Sequence, residues 1–339
     1  MNEYLEKLYS HQDLSFDETK LVFNELFAGK IDPVQLGSLL TALKMNGYKP
    51  DEIGGAATAM INSAVPFERN KAIDVGEIVG TGGDKLKTIN ISTISGIICA
   101  TLGLHVAKHG NTAVSSKTGA SDVLSALGYN VRTNQENTRC CLEDEGFAFF
   151  FAQVYHTGMK YAAPVRKALG TSTIFNILGP LTNPAKVNYE LLGCYEVNLL
   201  KTMAQALKLT GVQRGMVING NGMDEISIFG STKVAELNED GSICEYELTN
   251  KDFGIKGNYT QNDLVGGTPE ENANTAKAIL KGQGSNAHNA VIAANVSAML
   301  HLAKKADSFK DGYEMAMEAI LSGRGFDKLE QISKITNTL

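Results

Sequence analysis

The chain is predicted to be an α/β protein: a small all-helical domain followed by a larger α/β domain with a mostly parallel central sheet and helices on both faces. Three observations point there. The segment up to about Ser63 carries helical periodicity and no strand pattern. From Asp74 onward, short apolar runs alternate with helical segments, the rhythm of a wound parallel sheet. Glycine is abundant, at 34 residues, and many glycines directly follow apolar runs, where strand turns into helix. The length of 339 residues suits two domains, at roughly 100–200 residues each.

The elements follow in order. Ser15-Phe16-Asp17-Glu18 is a capping-box pattern opening a helix with Leu21, Val22, Leu26 and Phe27, stopped at Gly29. Asp32-Pro33 places a cap and an N1 proline before Val34, Leu36, Leu39, Leu40 and Leu43, with Gly47 as the stop. Pro50-Asp51-Glu52 opens a third helix to about Ser63. A strand at Glu77-Ile78-Val79 runs into Gly80-Thr81-Gly82-Gly83-Asp84, and Ile89 to Leu102 is the following helix. Leu104 to Ala107 is a second strand, then come helices at Ala120–Leu127 and Glu136–Glu145 and a strand at Phe147–Phe151. Residues Val165 to Pro184 interrupt the alternation. It resumes with strands at Tyr189–Gly193, Gly215–Asn219 and Ile226–Phe229 and a hairpin from Val234 to Leu248. Four helices end the chain: Pro269–Lys281, Ala287–Ala303, Phe309–Ser322 and Asp327–Ser333.

Hydrophobic residues make up 43% of the chain and charged ones 20%, an ordinary globular mixture. A net charge of −6 argues against a broad nucleic-acid or membrane surface, which needs a concentrated basic face. The five cysteines are odd in number and form no CxxC pair, so neither a disulfide framework nor a zinc site is expected. The charged N-terminus lacks the apolar core of a signal peptide, and no apolar run reaches the ~20 residues of a membrane span. The expected location is the cytoplasm.

Five motifs could carry chemistry. In Gly80–Asp84, missing Cβ atoms let backbone N–H groups converge on an anion. Lys85 stands where a Rossmann fingerprint needs its third glycine, and no Walker loop occurs; a plain strand-to-helix turn is the alternative. Asn90-Ile91-Ser92-Thr93 begins a helix, where hydroxyls either cap it or meet a phosphate. Lys108 to Gly119 is polar or small throughout with two lysines, which suits pyrophosphate better than it suits a merely solvated loop. Asp224-Glu225, after Gly220-Asn221-Gly222, could turn two carboxylates toward magnesium, or could be a solvated pair. Arg166, in the run from Tyr155 to Arg166, could hold a substrate carboxylate with its planar fork, or make an ordinary surface ion pair.

Taken in order, GTGGD, NIST, KHGN with SS, DVLSALG, HTGMK, PVRKALG, FNILGPLTNP and GMDE resemble the anthranilate phosphoribosyltransferase family from one end of the chain to the other, as does the helical start LTALKMNGYKPDEIGGAATAM. The resemblance implies transfer of a 5-phosphoribosyl group from phosphoribosyl pyrophosphate to the amine of anthranilate, a step of tryptophan biosynthesis, with Mg2+ as cofactor. It implies a helical domain of residues 1–66 with 165–186, an α/β domain of 70–164 with 187–339, a cleft between them, and a homodimer formed through the helical domain. Gly80, Gly83, Asp84, Thr88, Asn90, Ile91, Ser92, Thr93, Lys108, Ser116 and Ala120 match phosphoribosyl pyrophosphate-binding positions. Ser92, Asp224 and Glu225 match magnesium positions; Gly80, Asn111 and Arg166 match anthranilate contacts.

No residue is assigned as general acid or base, because an aromatic amine is already unprotonated at neutral pH; His109 and His156 are expected to shape the pocket. The chain departs from the family at two places: Thr112 and Ser172 stand where an Arg is usual. The alternatives are a pyrimidine nucleoside phosphorylase and a non-catalytic nucleic-acid-binding relative of the same fold.

Overall fold

The computed structural model describes residues 1–83, 86–112 and 118–338. Its N-terminal part is four helices: Asn2–Tyr9, Phe16–Phe27, Pro33–Asn46 and Pro50–Ser63. The first lies in the charged start of the chain and was not foreseen there; Leu5 and Leu8 anchor it. The expected caps form. Ser15 Oγ accepts from Glu18 N, and Glu18 Oε2 accepts from Ser15 N at 2.8 Å. Asp32 Oδ1 accepts from Val34 N at 2.8 Å ahead of Pro33. Glu52, wholly buried, accepts from Lys49 N and Leu14 N and so joins two helix starts.

Leading into the segment that interrupts the alternation, the helix Met159–Leu169 packs on Phe16–Phe27 and on Pro33–Asn46. Phe175 closes a cluster with Phe23 and Phe27, at ring centroid distances of 5.9 and 6.4 Å. The short helix Phe175–Leu178 and the 3-10 turn Gly179–Thr182 pack on Pro50–Ser63. Arg69 fastens the segment that leaves the helices to the one that returns. Its guanidinium donates to Ile73 O, Ala185 O, Lys186 O and Asn188 Oδ1, all at 2.8–2.9 Å.

The sheet has seven strands: β1 Val75–Gly80, β2 His105–Gly110, β3 Phe147–Phe151, β4 Tyr189–Gly193, β5 Arg214–Gly220, β6 Thr232–Leu237 and β7 Ile243–Leu248. Their order is β3-β2-β1-β4-β5-β6-β7. The first five are parallel; β6 and β7 add an antiparallel edge. The helices Ile91–Thr101 and Asn286–Leu302 pack on each other and on the central strands, and Leu200–Leu209, which the sequence reading omitted, packs on β5, β6 and β7.

From β1 the chain winds outward through β2 and β3, then returns to the other side of β1 as β4. The point where winding reverses, between β1 and β4, is where such sheets open a crevice at their carboxyl ends.

One expected strand is absent. Ile226–Phe229 is irregular although Ile226 and Ile228 are wholly buried. Its backbone bonds go to side chains instead: Ile226 N donates to Asn295 Oδ1 and Ser227 N to Thr232 Oγ1. Burial produced the apolar pattern, but no neighbouring strand supplied a ladder. Among the described residues no helix is long and apolar enough to cross a membrane, and all five cysteines are free.

Candidate active site

The loop after β1 and the loop after β5 meet in the β1/β4 crevice. Gly80 pairs with Gly193 at the last step of the β1–β4 ladder. Asp224 lies over both. A Cβ on Gly80 would stand 2.7 Å from Asp224 Cβ, and one on Gly193 would stand 1.7 Å from Asp224 O. Only glycine allows this approach at either strand end. Asp224, mostly buried, accepts from Gly82 N at 2.5 Å and from Thr81 Oγ1 at 3.2 Å. The Gly80–Gly83 loop is therefore more than a turn: its backbone grips the first carboxylate of the Asp-Glu pair. Asp224 is likewise no solvated surface residue. Gly83 is needed for a related reason, since a Cβ there would stand 2.3 Å from the ring of Tyr195.

On the other side of β1 the sheet splits. The β1–β2 ladder pairs Val75 with His105 and Gly76 with Val106, whereas β2–β3 continues to Gly110 and Phe151. Side chains bridge the gap. Glu77 Oε1 accepts from His109 N at 2.7 Å, and Lys108 Nζ donates to Ile78 O at 2.9 Å. Asn183 Nδ2 donates both to Glu77 Oε2 and to Ala107 O at 2.7 Å. Asn183 of the GPLTNP run thus supplies the amide that stitches the opened strands.

This corrects the placement of Lys108. Sequence put it in a polar loop, but it lies within β2 and is almost wholly buried. Burial draws its ammonium below the usual range, while the carboxylates of Glu77 and Glu225 pull the other way. Burial also holds the neighbouring imidazoles neutral. His156 falls to about 4 and His109 well below its ordinary value, and their rings meet at 5.0 Å. Neutral, packed imidazoles fit the expectation that this pair shapes a wall and carries no proton. His109 Nδ1 lies 3.2 Å from Gly179 O, which ties the wall to the 3-10 turn.

Asn90 is the N-cap residue of Ile91–Thr101, yet its side chain makes no cap bond. Its Oδ1 accepts from Asn272 Nδ2 at 3.0 Å. Ile91 and Thr93 are buried while Ser92 is partly exposed. Thr88 forms a bridge with Val265, and Ala120 opens the helix Ala120–Ala126. Asn111 sits at the exposed end of β2, its Oδ1 accepting from Thr112 N at 2.8 Å and Gln153 Nε2 at 3.3 Å. Asp84 and Ser116 lie outside the described residues.

Arg166 projects from Met159–Leu169 with its guanidinium 5.3 Å from the Phe175 ring centre. Burial alone draws its pKa below the usual range, and no carboxylate contributes, so the surface ion-pair reading does not hold among the described residues. At the position of the missing second Arg, another cation arrives from a different helix. Lys44 Nζ donates to Thr171 Oγ1 at 2.7 Å and to Ser172 O and Oγ at 2.9 Å.

The geometry matches a known set of proteins. Residues 2–64 fit the model of the glycosyl transferase family helical bundle domain, and residues 70–326 that of the glycosyl transferase family a/b domain. A protein of Tolumonas auensis named anthranilate phosphoribosyltransferase is 47% identical over 337 residues, 99% of both chains. This chain belongs to the anthranilate phosphoribosyltransferase family. The similarity extends to a Vibrio parahaemolyticus member, 44% identical over 98% of this chain and 99% of that one. Among solved anthranilate phosphoribosyltransferases, the Thermus thermophilus crystal structure superposes with a TM-score of 0.93 at 37% identity, covering 98% of this chain and 99% of that one. The Saccharomyces cerevisiae structure, in complex with PRPP and Mg, gives 0.89 at 29% identity, covering 99% and 98%.

Tyr195, Asn183, Glu77, Lys44 and Asn272 were not singled out as site residues in the sequence. One of them left a signal: a Glu inside the apolar run of β1 has to be either an error of assignment or a buried functional group.

Proposed function

We propose that this chain transfers the 5-phosphoribosyl group of phosphoribosyl pyrophosphate to the amine of anthranilate, releasing pyrophosphate and N-(5-phosphoribosyl)anthranilate. The observation that carries the reading is the meeting, at the carboxyl ends of the central strands, of the Gly80–Gly83 loop with Asp224, with Glu225 acting on the buried Lys108. Glycine-loop N–H groups suit a phosphate chain, and a helix N-terminus such as that of Ile91–Thr101 suits one as well. Gly80, Gly83, Asp84, Thr88, Asn90, Ile91, Ser92, Thr93, Lys108, Ser116 and Ala120 are its proposed lining.

The donor set also fits a hard cation. Among the described residues no three His, Cys, Asp or Glu gather to hold a metal by themselves. Magnesium needs no such cage, since it commonly takes one or two carboxylates and completes its shell with substrate phosphates and water. Asp224, Glu225 and the Ser92 hydroxyl would hold it. When bound, Mg2+ supplies charge neutralisation on the pyrophosphate leaving group.

The protein's own contribution is mainly positional. Arg166, whose cation meets no carboxylate among the described residues, would grip the anthranilate carboxylate, with Asn111 and Gly80 completing the contact. The neutral His109–His156 wall keeps that pocket apolar beside the ring. Holding the amine against C1 converts a two-body encounter into an oriented one. No side chain need remove a proton before attack.

The helical part, residues 1–66 with 165–186, is proposed as the dimerisation domain, and 70–164 with 187–339 as the phosphoribosyl pyrophosphate-binding one. The helices expose Val34 at 80% and Met45 at 77%, together with Tyr9, Leu21 and Tyr161. Apolar exposure of this extent on one helical unit suits a second copy.

The test is direct. Purified protein with magnesium, phosphoribosyl pyrophosphate and anthranilate should quench anthranilate fluorescence as the amine is alkylated. Phosphorolysis of pyrimidine nucleosides without anthranilate turnover would overturn the assignment.

A further inference from the structure

Behind the phosphate-facing loops lies a second layer built from a distant part of the chain. Residues 264–268 run alongside residues 87–90: Ile89 N donates to Leu264 O at 3.0 Å and Gly266 N to Lys87 O at 2.8 Å. Gly266 allows this closeness, because a Cβ there would stand 2.7 Å from Thr88 O. The same strap reaches the far side of the site, where Thr118 Oγ1 donates to Gly267 O at 3.0 Å. Asn272, in the first turn of Pro269–Leu280 and almost wholly buried, is the polar centre of the strap.

Its amide has both ends assigned. Asn272 Oδ1 accepts from Gly267 N at 2.7 Å, so its NH2 end must be the one facing Asn90. Asn272 Nδ2 donates to Asn90 Oδ1 at 3.0 Å. That single bond determines which end of Asn90 is presented elsewhere. With Oδ1 engaged behind, Asn90 offers only its NH2 end, whose bond to Thr118 O is long at 3.5 Å. An NH2 group is the end an anion can use, and a carbonyl oxygen would repel it.

We propose that Asn272 is a positioning residue for the phosphoribosyl pyrophosphate site: it locks the Asn90 amide with its donor end toward the substrate. This rests on the function proposed above and adds a residue that touches no substrate. A chain of two amides passes orientation from a helix of the C-terminal part to the start of Ile91–Thr101.

Asn272→Asp is the informative change. The new carboxylate keeps the acceptor for Gly267 N but has no hydrogen for Asn90 Oδ1, so the Asn90 amide must turn its NH2 end backward. The KM for phosphoribosyl pyrophosphate should rise by about tenfold or more, the scale of losing a hydrogen bond to a charged group, with the anthranilate KM unchanged. The Asn90→Ala background separates this from the direct effect of a new negative charge. If Asn272 acts through Asn90, the Asp substitution has little further effect there; an undiminished effect overturns the proposal.

Asn272→Ala provides a second reading, since it also strands Gly267 N. KM changes that merely follow the loss of Tm across Asn272→Ala and Asn272→Asp would make the role structural and overturn it, as would a wild-type KM in Asn272→Asp. Should the wild-type chain fail to turn over anthranilate, the functional reading falls by itself. Calorimetric titration with pyrophosphate and magnesium then decides the Asn272 claim: weaker binding by Asn272→Asp supports it, and equal binding overturns it.

Discussion

Glu77 and Glu190 occupy the same register on the adjacent parallel strands β1 and β4, both essentially unexposed in the middle of the sheet. Two carboxylates in that position cannot both ionise cheaply. Burial raises Glu77 to about 7, while its hydrogen bonds from Asn183 Nδ2 and His109 N and the nearby cation of Lys108 favour its charged form. Oε1 of Glu190 has no hydrogen-bond partner among the described residues. Burial first, and then the Glu77 charge, raise Glu190 well above the usual carboxylate range. Glu190 therefore holds the proton while Glu77 serves as the acceptor that bridges the split strands.

A pH-dependent stability follows. The folded protein keeps the Glu190 proton where the unfolded chain, with an ordinary value of about 4.3, releases it. Its stabilising contribution is complete below that value and is lost as pH rises through the raised folded one. Glu190→Gln copies the protonated form and loses this dependence. Thermal melts should show the variant gaining on the wild type steadily from pH 5 to 8; a constant difference would contradict the assignment of the proton.

Gly80→Ala should disable the site without unfolding the protein. The added methyl meets Asp224 Cβ at 2.7 Å and Oδ2 at 2.9 Å, so the carboxylate must move. A displacement of that order can lower kcat/KM by about 100-fold. Steady-state kinetics with magnesium titration should show the loss together with a higher magnesium requirement, while circular dichroism stays native. Wild-type kinetics would mean that Asp224 has no part in turnover.

Arg166→Ala removes a guanidinium that rests on Phe175 and receives no carboxylate among the described residues. Loss of a charge-assisted fork should raise the anthranilate KM by about 10- to 100-fold. The phosphoribosyl pyrophosphate KM should be nearly constant. Arg166→Lys should recover only part, since an ammonium cannot bind a carboxylate side-on with two parallel bonds. An equal rise in both Michaelis constants would place Arg166 elsewhere in the cleft.

Lys44→Met tests the cation that reaches Ser172. The three Nζ bonds hold the turn between the Arg166 helix and Phe175. These bonds are exposed, so stability should fall by no more than about 1 kcal/mol. A looser turn lets Arg166 drift, and the anthranilate KM should rise by about two- to tenfold. If Lys44→Met instead raises the phosphoribosyl pyrophosphate KM, the lysine acts on the phosphates and not through the turn.

The sequence by itself determined most of the scaffold. Capping residues, helix-stopping glycines and apolar runs are local signals, and they placed the caps at Ser15 and Asp32, strands β1 to β5 and the β6–β7 hairpin. Local signals also misled where burial and pairing part company, as in Ile226–Phe229, whose apolar pattern belongs to a buried loop bonded to Asn295.

The motifs GTGGD, NIST and GMDE were legible as candidates, because glycine, hydroxyl and carboxylate chemistry is written in residue type. Tertiary structure alone decided which of them meet. Asp224 lies over Gly80, 144 positions earlier in the chain, because the loops that follow β1 and β5 come together beside the reversal of winding. Lys108 became a buried strand residue because β2 stays paired with β3 as far as Gly110, and its ammonium crosses the gap left by β1 to reach Ile78 O. Asn272 reaches Asn90 across 182 positions of sequence. Spacing along the chain holds no record of such approaches; they are set by strand order and by how closely glycine lets two backbones pass.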